Sequence, residues 1–162
     1  MIGPFRSRFR ARKDGRIDFH IAEEERDLVR GLVEQMRELL MSTVATGDVD
    51  PNLRRLYPTA YPDDPALDSE YQQLVRDQLL EQRLEHLDEV EATLDREQLS
   101  EAEAIAWLTV LNDVRLVLGT NLDVSEDDDF SDLDPSDPDH HSHAVYQYLG
   151  YLLEEFVRAL SP

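Results

Sequence analysis

The stretch from Ser100 to Gly119 constrains the fold more than any other part of the chain. Ser100 followed three residues later by Glu103 is a capping-box pattern, in which each side chain satisfies an orphan backbone N–H at a helix start. Gly119 suits a left-handed helix stop. At about 100° per residue, Ala104, Ile105, Trp107, Leu108, Val110, Leu111, Val114, Leu116 and Leu118 sweep more than half the circumference. Thr109 and Asp113 are left as a narrow polar strip. A helix this apolar needs neighbours on several sides, so the other elements must pack around it. Arg115 breaks the pattern, because its guanidinium projects toward the core side between Leu108 and Leu111. Burying it alone would cost several kcal/mol, so it requires a partner.

The whole chain fits a single domain over residues 1–162 with 41% hydrophobic content. It contains no cysteine, which excludes disulfides, thiolate metal sites and thiol redox switches. No apolar run approaches the roughly 20 residues that span a bilayer, and the Arg-rich start lacks the apolar run of a signal peptide, so a cytoplasmic protein with no membrane partner is expected. The formal charge of −20 disfavours direct binding to DNA or to an anionic membrane. That charge is uneven. Six basic residues against Asp14 put +5 on the first sixteen positions and therefore −25 on the rest.

Residues 5–21 alternate polar and apolar around a Lys13-Asp14-Gly15 turn, the pattern of a β-hairpin with its arginines outward. The period then changes to 3.6 for a first helix over 22–44. Glu25 falls inside its apolar arc and is a candidate carboxylate for Arg115 or another inward arginine. A Pro-rich connector over 46–65 carries Leu53, Leu56, Tyr57 and Tyr61, which suggests an ordered excursion against the body. Asp64-Pro65 opens a second helix over 65–94. There Arg76, Arg83 and His86 project into or beside the apolar arc. With Arg115 they could line a site for a small anion or an acidic side chain, and Glu25, Glu85 or a carboxylate of the last helix is the expected counter-charge.

Between 123 and 142 aspartates crowd a stretch expected to be mobile and solvated. Asp127, Asp129 and Ser131 match the first calcium-loop spacings, but Asp132 and Pro138 occupy the positions of the required Gly and Glu. His140, His141 and His143 follow as weak candidate metal ligands without an ordered scaffold; neither a metal nor any other cofactor is expected. The last helix, over 143–160, closes the core with Val145, Tyr148, Leu149, Leu152, Leu153 and Phe156. Tyr146 and Tyr151 lie outside its main face and are candidates for a homodimer surface. The fold class expected is mainly α: four helices, one of them central and buried, with an N-terminal β-hairpin.

The segment Asn112-Asp-Val-Arg-Leu-Val-Leu-Gly119, with Trp107-Leu108, Leu56-Tyr-Pro-Thr-Ala-Tyr61 and Tyr148-Leu-Gly-Tyr-Leu-Leu-Glu-Glu-Phe-Val157, resembles the actinobacterial family catalogued as domain of unknown function 2017. Asn112 and Asp113 join the candidate site residues as part of its most distinctive piece. The resemblance implies a small helical protein often encoded beside the adaptor of the Clp protease, in a family that includes an oxidative-stress transcriptional regulator working through a cysteine pair and a sigma factor. Here thiol sensing cannot operate. The expected function is a non-enzymatic regulatory or protein-interaction module in transcription or regulated proteolysis, docking an unidentified partner with a basic surface. The competing expectation is a small-anion binding protein that uses the inward arginines. No nucleophile is paired with a base at recognisable spacing, so an enzyme is not expected.

Overall fold

A computed structural model describes residues 8–46, 51–122, 136 and 140–161. Its helices are α1 (Glu23–Thr46), α2 (Pro65–Thr93), α3 (Glu101–Asn121) and α4 (His140–Leu160), with a short 3-10 helix, Pro51–Leu56, in the connector before α2. The hairpin strands are β1 (Phe9–Ala11) and β2 (Ile17–Phe19), paired antiparallel with Phe9 opposite Phe19, and Gly15 supplies the positive φ of 88° that the turn requires. The fold is mainly α with a small N-terminal sheet.

The hairpin is extended by a third strand. Gln98–Leu99, here β3, pairs antiparallel with β2 directly after the charged residues Asp95, Arg96 and Glu97. Two residues are too few to show a period-two pattern; Leu99 is fully buried, opposite Ile17 in the sheet register. Strand β3 leads directly into α3. The Ser100 Oγ accepts from the Glu103 backbone N–H at 3.1 Å, while the Glu103 carboxylate accepts from the Ser100 N–H at 2.8 Å, completing the capping box.

Helix α3 packs against α2, α4 and the 3-10 helix, and touches α1 and β3. Trp107 is buried on it, donates its indole N–H to Thr93 Oγ1 at 2.7 Å, and meets Phe19 edge-on at 4.7 Å between ring centroids. Phe9 and Phe156 stack beside it, tying the sheet and α4 into one aromatic cluster. Ile105, although apolar, is exposed: the neighbours of α3 leave part of its circumference open.

The end of α3 departs from the sequence expectation. Gly119 lies inside the helix, which continues to Asn121 with Leu122 as a right-handed C-cap. A Cβ on Gly119 would stand 3.0 Å from Arg55 Nη1 and 3.0 Å from Tyr146 Cε2, so close side-chain approach, not a left-handed turn, is the demand on this glycine. The expected acidic stretch falls mostly outside the described residues, as do Phe5 and Arg6.

Candidate functional site

The inward basic residues of α2 meet α3 and the connector. Arg83 Nε stands 3.6 Å from Asp113 Oδ2, its Nη2 donates to the Leu56 carbonyl at 3.1 Å, and its guanidinium lies over the Tyr57 ring at 5.2 Å. Both charged side chains of the pair are largely buried. Burial raises the Asp113 pKa above its ordinary value, and the positive fields of Arg83 and His86 only partly oppose that rise. Burial likewise raises the Tyr57 hydroxyl, against the fields of Arg83 and Arg76. That hydroxyl and the Arg83 Nε are buried without a hydrogen-bond partner among the described residues. The counter-charge for Arg83 is therefore Asp113 of α3, and Glu25, Glu85 and α4 play no part in it. Asp113 sits on the narrow polar strip that its helix spacing marks. Chemically this patch can hold a proton and present hydroxyl and guanidinium donors.

Arg115 belongs to a different junction. Its guanidinium lies over the Tyr146 ring at 4.6 Å, and it packs so near Gly150 that a Cβ there would stand 3.5 Å from its Nε. The required partner is an aromatic face, so the expected pairing of Arg115 with Glu25 does not form. Tyr146 thus turns inward as a platform for Arg115, which removes it from the candidate self-association surface; Tyr151 remains exposed. Asn112 is exposed on α3.

Glu25 instead anchors the start of the chain. It accepts from Arg8 Nε at 2.8 Å, Tyr148 Oη at 3.0 Å and the Ala22 backbone N–H at 2.8 Å. Arg8 also reaches Glu155 on α4 at 3.2 Å, so an arginine expected to point outward ties β1 to α1 and α4. Burial would raise the Glu25 pKa, but the bonds from Ala22, Tyr148 and Arg8 outweigh it and hold the carboxyl below its usual range. Burial, followed by the charge of Glu25 and the hydrogen bond to it, pushes the Tyr148 phenol far up. Sequence reasoning missed Arg8, Tyr148 and Glu155. The signal for Tyr148 was present, because it falls on the core face of the last helix while carrying a hydroxyl that needs a partner when buried.

His140, His141 and His143 form the first turn of α4. Among the described residues no three His, Asp or Glu side chains converge as a metal site, and none of the described helices is long and apolar enough to cross a membrane.

A four-helix body around a buried α3, edged by a three-stranded sheet and laced by arginine junctions, defines the class of domain. Across residues 4–160 the sequence matches the family model described as domain of unknown function DUF2017, and the chain belongs to that family. No curated protein and no solved structure matches it.

Proposed function

We propose that the chain is a non-enzymatic protein-interaction module whose acidic body docks a basic surface on its partner. What supports this reading is the internal commitment of its cations. Arg8, Arg12, Arg30, Arg37, Arg83, Arg96 and Arg158 are all in ion pairs with the chain's own carboxylates. Acidic residues outnumber basic ones 36 to 16, and that excess of negative charge is what would steer a cationic partner. A role in transcription or regulated proteolysis, which the family resemblance implies, would run through such contacts, since the chain has no cysteine. The test is binding of the full chain to immobilised polylysine and to a basic protein panel across a salt series. Retention that falls steeply with ionic strength supports the reading, and salt-independent or absent retention overturns it.

The small-anion reading keeps one observation in its favour, the buried Tyr57 hydroxyl and the Nε atoms of Arg83 and Arg115, which have no hydrogen-bond partner among the described residues. A titration with inorganic phosphate and sulfate, followed by thermal shift and lost in an Arg83→Met variant, is the outcome that would promote it.

A further inference from the structure

Helix α2 has two unlike halves. Its buried residues are Leu80, Leu87, Val90 and Thr93, all in the second half, whereas from Pro58 to Leu79 no residue is buried. Yet this first half is not polar. Leu67, Tyr71 and Leu74 are 42%, 40% and 76% exposed, and Tyr61 of the connector, 40% exposed, meets Tyr71 edge-on at 5.8 Å. At about 100° per residue the three helical positions fall within roughly 60° of one another, on the side of α2 opposite Leu80, Leu87 and Val90. The core cannot account for them.

The surface is held in shape. Asp68 accepts from the backbone N–H groups of Ala60 and Tyr61 at 2.7 and 3.0 Å, and Gln72 Nε2 donates to the Pro58 carbonyl at 3.0 Å, so the connector is fastened to the helix with Tyr61 set beside Tyr71. Exposed carboxylates surround it: Asp63, Asp64, Glu70, Asp77 and Glu81. The nearby cation, Arg76, falls on the core side of the helix and is half-buried.

We propose that this outer face of α2, Tyr61 with Leu67, Tyr71 and Leu74, is the docking surface for a basic amphipathic helix of a partner protein. The assignment rests on the interaction reading above and gives it a place. Apolar anchors at i, i+4 and i+7 are the spacing by which one helix seats another, and large side chains such as Tyr and Leu supply the contact area. Charge complementarity selects the occupant. A second copy of this chain would set Glu70, Asp77 and Glu81 against the same residues of its mate, whereas lysines or arginines flanking an apolar stripe would meet them with opposite charge.

The probe is a synthetic Leu/Lys amphipathic helix, with a Leu/Glu helix of the same length as control, titrated into the full chain and followed by anisotropy and backbone NMR shifts. The Leu/Lys helix binds in a salt-dependent manner, the shifts centre on 61–78, and a Tyr71→Ser/Leu74→Ser variant weakens binding about tenfold or more while its circular dichroism and melting temperature stay near wild type. Met41→Ser, which removes an exposed apolar side chain on α1, leaves binding unchanged. Leu/Lys binding that ignores the α2 substitutions overturns this surface and spares the interaction reading. Equal binding of the Leu/Glu helix, or a dimer of the free chain that Leu74→Ser dissociates, overturns the basic occupant. Absence of binding to the Leu/Lys helix and to polylysine alike removes both readings.

Discussion

Glu25 and Asp113 are both carboxylates set against arginines within one helical body, and their proton affinities move in opposite directions. Glu25 receives three donors between 2.8 and 3.0 Å, from a guanidinium, a phenol and a backbone N–H, and its charged form is favoured in spite of burial. Asp113 faces Arg83 at 3.6 Å without a hydrogen bond, and burial prevails. An arginine nearby does not by itself stabilise a carboxylate. The number and length of the hydrogen bonds to the charged form decide whether the lost hydration is replaced.

The largest effect expected from breaking this comparison is at Glu25. Glu25→Ala strips Arg8 and the Tyr148 hydroxyl of an acceptor and removes a bond at the start of α1, so urea unfolding should show a loss of about 2 kcal/mol, moderated because Arg8 keeps Glu155 and is partly exposed. Asp113→Asn should differ from wild type by less than about 1 kcal/mol, because Arg83 retains the Leu56 carbonyl and the Tyr57 ring. Equal losses in the two variants would erase the distinction.

The pH dependence sharpens the comparison. The folded-state pKa of Glu25 is lowered, so its contribution is complete above the unfolded value of about 4.5 and is lost as pH falls through the folded one; the stability gap between wild type and Glu25→Gln should close on acidification. Asp113 is raised, so the folded state binds its proton more tightly, and stability falls as pH rises from the unfolded value of about 3.8 through the folded one. Asp113→Asn should therefore gain on wild type across that interval, the opposite slope. The smallest effect belongs to an exposed control: Asp95→Asn, which frees Arg30 from a 3.2 Å surface pair, should change stability by no more than about 0.5 kcal/mol.

Much of the fold was legible because it depends on local rules. The capping box at Ser100, the Asp64-Pro65 start, the change of period after the hairpin and the apolar girth of α3 each follow from spacing alone. The site was legible only in part. Inward placement of Arg83 and Arg115 can be read from a helical wheel, but a wheel carries no information about which other helix supplies the partner. Thus Arg83 found Asp113, Arg115 found the Tyr146 ring, and Glu25 found Arg8 and Tyr148. Gly119 shows the same limit, since a helix-stopping residue by composition proved to be a space-making residue by packing.

The sequence by itself determined the helices, their core faces, the hairpin turn and the excess of negative charge, all properties of neighbours along the chain. Only the tertiary structure decided the partners of the buried charges, the joining of Gln98–Leu99 to the sheet, and which half of α2 meets the core. Those outcomes depend on residues far apart in sequence arriving at one place, and no local period encodes that meeting.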